Sequence, residues 1–136
     1  MAAFALLSEQ LTINSVDYTA LSMVKSATLT LDAAQLDPTA MGDSWTEVLG
    51  GLKSGSLSVT FNDDYAASSI DQLLFPLFGT VTTFLVRPTT AVVGATNPNY
   101  TGSIFIAQHV LGGQIGDLAS KSLTFPTSGA VLRAVA

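Results

Sequence analysis

The single histidine of the chain, His109, is the residue whose type most readily suggests catalysis. A Ser/His/Asp site needs its histidine to be oriented by a carboxylate and to lie beside a nucleophile. The sequence contains no Gly-x-Ser-x-Gly turn, and His109 falls in an alternating segment, residues 102–110, that predicts a β-strand. We therefore interpret His109 as a strand residue at a surface or an interface.

Neighbouring carboxylates could bind a cation or cleave a glycosidic bond. Asp63 and Asp64 follow Asn62, but the central Gly and terminal Glu of an EF-hand calcium loop are missing after them. Asp43 and Glu47 would form a glycosidase pair, yet both fall in a predicted loop without a predicted cleft. We expect a helix cap from the first group and a solvated loop surface from the second.

Two other sources of chemistry are also missing. The glycine-rich segment 112–116 lacks the Lys-Ser/Thr pair of a phosphate-binding loop, so we predict a turn there. There is no cysteine, which excludes a disulfide, a thiolate zinc site and a cysteine nucleophile. We predict that the protein is not an enzyme and that it uses no cofactor and no metal.

The composition favours a subunit of an assembly. A chain of 136 residues fits a single domain, residues 1–136. Hydrophobic residues make up 48% and charged residues only 11%, against roughly 25% charged in an ordinary soluble domain. Such a surface is expected of a subunit that is covered by copies of itself. A compact β domain coated with Ser and Thr is the alternative.

The charge distribution argues against nucleic-acid binding and, together with the prolines and glycines, against a membrane-spanning helix. The net charge is −5, and the five Lys and Arg residues are scattered rather than clustered. Residues 88–116 carry no full charge, but prolines and glycines interrupt any spanning helix there. The apolar start, residues 1–7, is too short for a signal peptide. We expect the host cytoplasm during synthesis and an assembled particle afterwards.

Alternating hydrophobicity predicts a mainly β fold. The clearest strand covers residues 56–62, with Leu57, Val59 and Phe61 on one face and polar residues on the other. Further predicted strands are a short hairpin over 11–18 and segments 22–32, 81–87, 102–110, 120–125 and 130–135.

A single helix is predicted over residues 65–78. Ile70, Leu73, Leu74 and Leu77 have the i, i+3, i+4, i+7 spacing of one buried face. Pro76 and the following glycine end it. We expect this helix to flank a β-sandwich.

A long apolar loop is predicted between the two central strands, over residues 33–55. It is unusually long, because most connections in compact domains have about 4–6 residues. It holds the only tryptophan, whose large ring should pack on its own domain or on a neighbour. We predict that this loop orders against a partner and that its apolar residues make the contact: Leu36, Met41, Trp45, Val48, Leu49 and Leu52.

Several short motifs in their order along the chain resemble one family. They include Gly42-Asp43-Ser44-Trp45, the strand Gly55–Phe61 with the following Asp64-Tyr65, and a helix that ends Leu-Phe-Pro-Leu-Phe-Gly79. Val86-Arg87-Pro88, Asn97-Pro98-Asn99-Tyr100-Thr101-Gly102 and Thr124-Phe125-Pro126 follow. From about Thr28 onward the chain resembles the tail tube (major tail) proteins of bacteriophages with long non-contractile tails. Gly50-Gly51 stands where a proline is expected.

The resemblance implies a β-sandwich or partial barrel with one flanking helix. Six subunits would form a ring whose inner strands join into a continuous barrel, and rings would stack into a tube. The long loop would reach the neighbouring ring, and DNA would pass through the lumen without specific binding. Other expected partners are the tape measure, tail tip and terminator proteins, and the expected location is the virion tail.

Two alternatives to a tube subunit stay open at the level of sequence. One is a non-catalytic β-sandwich binding module that decorates a capsid or binds a sugar. The other is a tail-terminator or tail-completion ring with the same architecture. The sequence leaves the residues that line the lumen unassigned.

Overall fold

The computed structural model describes residues 9–18, 24–62, 70–111 and 114–135. Strands β1 to β4 are Gln10–Ile13, Val16–Asp17, Val24–Leu36 and Leu49–Asn62. Helix α1, Ile70–Leu74, continues as a 3-10 turn, Phe75–Leu77. Strands β5 to β8 are Val81–Arg87, Asn99–Phe105, Ser120–Pro126 and Leu132–Ala134. The predicted N-terminal segment, the acidic helix cap at 63–64, the first helical residues 65–69 and the glycine pair 112–113 lie outside the described residues.

The strands form two antiparallel sheets. One has five strands in the order β2-β1-β5-β6-β8, and the other has three in the order β3-β4-β7. Alternate residues of each sheet point into a shared core, as a β-sandwich requires. The predicted fold class, mainly β with one flanking helix, is confirmed.

The core lies between the two sheets. Leu57, Val59 and Phe61 of β4 are buried, as their alternation predicts, and the rings of Phe61 and Tyr18 lie 5.9 Å apart. Both sheets contribute to the core, whose fully buried large side chains include Leu11, Ile13, Tyr18, Leu57, Phe61, Ile104, Leu123 and Phe125. A single hydrophobic core therefore holds the described chain together.

The helix covers one part of this core. Leu74 is buried, and Leu73 and Leu77 pack against the core from the same face. Pro76 cannot donate a backbone hydrogen bond, and the chain changes from α to 3-10 geometry there. Gly79, with φ 82°, ends the element as predicted. Within the described ranges, no helix has the length and apolar character needed to cross a bilayer.

The strand predicted over 102–110 is displaced in the structure. Strand β6 begins at Asn99 and ends at Phe105, so His109 lies beyond it. The chain leaves the sheet after Ile106, whose backbone makes a last pair of hydrogen bonds to Thr80 (2.9 Å) and Gly79 (2.8 Å). The alternation of apolar and polar residues continues past Ile106. Residues 107–110 nevertheless have no strand to pair with, because the chain before β5 forms the 3-10 turn.

The long predicted loop over 33–55 is wrong in its bounds. Strands β3 and β4 pair without a break in the sheet from Thr28 and Ser58 to Ala33 and Lys53, and resume after a bulge as Gln35–Gly50 and Leu36–Leu49. Only residues 37–48 form a loop. Glycines at 50, 51 and 55 suggested a loop, but antiparallel strands accept glycine where two backbones approach closely. A Cβ at Gly51 or Gly55 would lie 3.2 or 3.0 Å from a carbonyl oxygen of β3, whereas a Cβ at Gly50 would meet nothing within 4 Å.

Candidate assembly surfaces

The most exposed feature of the molecule is a β-hairpin arm, which we define as residues 31–55. Strand β4 pairs with β7 only from Ser56 onward, so beyond this point β3 and β4 form a two-stranded ribbon. Thr127 makes the last contact of the body with this ribbon, through hydrogen bonds from its backbone N–H and its hydroxyl to the Gly55 carbonyl (3.0 and 3.3 Å). At about 3.3 Å per residue, the paired part of the arm extends roughly 20 Å.

The tip of the arm is ordered by its own hydrogen bonds. The Asp37 carboxylate accepts from the Thr39 N–H (2.9 Å), and the Asp43 carboxylate accepts from the Ala40 N–H (2.8 Å). The Glu47 N–H donates to the Thr39 hydroxyl (2.9 Å), which ties the two sides of the loop together. Hydrogen bonds from Thr39 also lower the pKa of the Asp37 carboxyl. The tip is therefore preorganised within a single chain.

All six sequence-predicted contact residues lie on this arm, and all are exposed. Leu36 and Leu49 face each other across the two strands, and Leu52 lies further toward the body. Met41 and Trp45 project from the tip with exposed fractions of 104% and 86%, and Leu52 is 88% exposed. Val48 ends the loop. An apolar surface of this kind, held on a ribbon, is a candidate site of interaction with another molecule.

The arm also receives little support from the body of its own subunit. A two-stranded hairpin is marginally stable in water unless it packs against something. Strand β3 is also an edge of its sheet, so its outer backbone groups are available for pairing with another strand. The arm thus combines unpaired backbone with exposed apolar side chains.

Replacing Gly55 by alanine is expected to destabilise the junction between the arm and the body. A Cβ at this position would lie 2.7 Å from Leu31 Cδ2 and 3.0 Å from the Thr30 carbonyl oxygen. The leucine side chain can move, but the carbonyl belongs to the backbone, so we expect a loss of about 1–3 kcal/mol in the free energy of unfolding. Urea denaturation followed by circular dichroism measures it.

Gly50→Ala provides the matched control for this variant. Gly50 lies in the same strand, and a Cβ there would have nothing within 4 Å. Its free energy of unfolding should change by less than about 0.5 kcal/mol. Equal losses in the two variants would contradict a steric role for Gly55.

Two grooves lie beside the base of the arm. The larger, about 540 Å³, is lined by Leu31, Ala33 and Lys53 of the arm and by the segment 127–131 that precedes β8. The second, about 430 Å³, is lined by Glu9, Leu29, Leu31, Val86, Pro88 and Tyr100. Both are mainly apolar, and both touch Leu31, so they border the same side of the arm.

Stability is expected to depend on pH through Glu9. Burial in the second groove raises the pKa of its carboxyl from 4.5 to about 7. The folded chain then binds more protons than the unfolded chain between these two values, so stability falls as the pH rises from about 4.5 to 7. Glu9→Gln removes this titration. The melting temperature of this variant minus that of the wild type should increase as the pH rises from about 4.5 to 7. The same pH dependence of the melting temperature in both proteins would contradict this assignment.

The described residues that the sequence analysis considered for catalysis are not brought together in the structure. His109 Nε2 lies 3.3 Å from the Asp71 carboxylate, and its ring meets Phe75 edge-on at 5.3 Å. This contact holds the segment after β6 against α1. Asp43 and Glu47 are separate ends of the hydrogen-bonded tip. Over the described parts of the chain, no three His, Cys, Asp or Glu residues are grouped so that they could hold a metal ion.

Two known structures have a fold similar to that of this chain. One is a chain in the virion of a native gene transfer agent (GTA) particle, with a TM-score of 0.77 and 21% identity over 97% of this chain and 99% of that chain. Another is a chain in the tail of an empty GTA particle, refined with C6 symmetry, with a TM-score of 0.64 and 22% identity over 81% of each chain. No protein-family model and no curated protein matches the sequence.

These similarities establish the fold. The chain has the same fold as the chain of the GTA virion, and almost its whole length takes part in the match. This agrees with the β-sandwich and flanking helix that the resemblance to tail tube proteins implies. The arm is the feature that the sequence pattern missed, because the pairing of residues such as Leu31 with Gly55 leaves no alternating pattern in the sequence.

Proposed function

We propose that the protein is the structural subunit of a phage-like tail tube. Six copies form a ring, rings stack into a tube, and the lumen conducts DNA during genome ejection. The observation that carries the proposal is the arm: a preorganised ribbon that holds exposed Met41, Trp45 and Leu52 beyond the body. Such side chains are stabilised when a neighbouring subunit covers them, because burying one large apolar side chain contributes about 1.5–3 kcal/mol.

Three further observations support this proposal. Strand β3 is a long edge strand of 13 residues, which suits pairing with a copy of the chain in the same ring. The structural neighbours are chains of a GTA virion and of a GTA tail, and the tail was refined with six-fold symmetry. The charge-poor composition suits a subunit whose surface is mostly covered.

The arm is assigned to the contact between rings. It extends about as far from the sandwich as four strand spacings, so it can cross onto a neighbouring subunit without any change in the body. The apolar grooves at the base of the arm are the surfaces that an incoming arm would meet first. The expected tape measure, tail tip and terminator partners would bind at the ends of such a tube.

Sedimentation velocity over a range of protein concentrations tests the proposal. A tube subunit should pass from a small species to very large ones as concentration rises, since every added ring offers the same arm contact to the next. A capsid-decorating or sugar-binding module should remain a small particle of fixed size. A single small species at every concentration would therefore favour the binding module and contradict the tube.

A further inference from the structure

The outer face of the three-stranded sheet is made of hydroxyl side chains. In register across β3, β4 and β7, one row is Thr28, Ser58 and Thr124, and the next is Ser26, Thr60 and Ser122. We call these six residues the hydroxyl face. The row beyond Thr28 continues it with Thr30 and Ser56. The opposite side of the same strands forms the buried core.

Hydroxyls on neighbouring strands bond to one another across this face. The oxygens of Ser58 and Thr124 lie 3.2 Å apart, and those of Thr60 and Ser122 lie 3.1 Å apart. These bonds fix the side chains in place while leaving further donor and acceptor sites for water. The face is therefore a flat, hydrated surface without large apolar groups.

Full charges lie outside the two rows. Lys121 is in β7 but on the opposite side, where it is 2% exposed. Lys25 occupies the irregularity between Val24 and Ser26, at the end of the face away from the arm. Asp32, paired with Ser54, lies one row beyond Thr30 on the same side of the strands, at the arm end of the face. The net charge of −5 is thus carried elsewhere, and the face itself is neutral.

The outer face of the five-stranded sheet has a different character. Val81 and Phe105 are paired across β5 and β6 and are both exposed, and Leu132 of β8, which pairs with Thr101 further along β6, is exposed as well. Large apolar groups of this kind are typical of surfaces that are covered in an assembly. Of the two sheet faces, the hydroxyl face is the one suited to remain in water.

We infer that the hydroxyl face lines the lumen of the tube and is the wall along which DNA moves. This inference rests on the proposed tube. A wall with Lys or Arg would bind phosphates and release counterions, and a wall with exposed aromatics would stack on bases. Neutral hydroxyls neither bind phosphates as cations do nor stack on bases. The water that they bind gives DNA a surface without charged or aromatic groups to hold it. Passage of DNA here depends on the absence of attraction rather than on carboxylate repulsion.

Because the chain has no cysteine, a single engineered thiol reports this placement directly. Ser58→Cys is nearly isosteric and exposed. Tubes of this variant are treated either with N-ethylmaleimide or with a maleimide on a long polyethylene glycol chain, and the same variant below its assembly concentration is the control. We expect both reagents to label the unassembled protein, whereas the small reagent alone labels the tubes. Thr28→Cys, in the same row, repeats the test if Ser58→Cys disturbs assembly.

Every other outcome of this experiment overturns the assignment. Labelling of tubes by both reagents places the face on the outside, and labelling by neither places it between subunits. Electron microscopy of the same samples separates these failures from a failure of the proposed function, in which the wild-type chain forms no hollow tubes at all.

Discussion

Replacing Trp45 by alanine is expected to abolish tube formation at concentrations where the wild type assembles. The indole is 86% exposed at the tip of the arm and is the largest apolar group available to a neighbouring ring. Interface tryptophans of this kind cost about 2–4 kcal/mol when truncated, which raises the assembly concentration roughly 30-fold to 1,000-fold. Pelleting of tubes over a concentration series measures this shift.

This substitution should leave the stability of the single subunit unchanged. Trp45 is outside the core, so the free energy of unfolding should change by less than about 0.5 kcal/mol. Val92→Ala is the matched control, because Val92 is also 86% exposed but lies on the loop between β5 and β6. It should assemble normally. Intact tubes with a lowered melting temperature in the Trp45 variant would instead place the indole in the core of its own subunit.

Replacing Phe61 by alanine is expected to have the largest effect on folding. Its ring is fully buried between the two sheets and packs against Tyr18. Truncating a buried phenylalanine costs about 3–5 kcal/mol, from lost burial and from the cavity left behind. Since domains are stable by only about 5–15 kcal/mol, much of the folding free energy should disappear.

Urea unfolding followed by circular dichroism is the suitable measurement for this variant. The only tryptophan is exposed on the arm, so its fluorescence reports poorly on the core. Phe78→Ala is the control, because the ring of Phe78 is half-exposed after the 3-10 turn. It should lose less than about 1 kcal/mol. Similar losses in both variants would contradict the assignment of the core.

The body of the fold follows from patterns that act over short distances in sequence. Strand β4 can be predicted from the sequence because Leu57, Val59 and Phe61 are buried in the core and the residues between them face water. Strand β5 is found with its exact bounds as well, although Thr82 is buried and Val81 is exposed. The end of the helix is readable because Pro76 and Gly79 act on their own backbone.

The arm was not readable as a hairpin because it has no core. Neither of its faces is buried in the subunit, so its residues show no two-residue alternation of apolar and polar types. Its structure depends instead on the pairing of residues such as Leu31 with Gly55, which are far apart in sequence. A contact role for this segment is predicted from residue type alone, because Trp45 and Leu52 are large apolar residues that should be covered by their own domain or by a neighbour. All six predicted contact residues lie on it, and their contacts stay a prediction.

The most direct test of a tube built through the arm is electron microscopy of the purified protein over a range of concentrations. We predict hollow tubes or stacked rings with six-fold end views for the wild type, and dispersed particles for Trp45→Ala at the same concentrations. Uniform small particles of the wild type at every concentration would contradict the tube, and tubes of unchanged yield from Trp45→Ala would contradict the role of the arm.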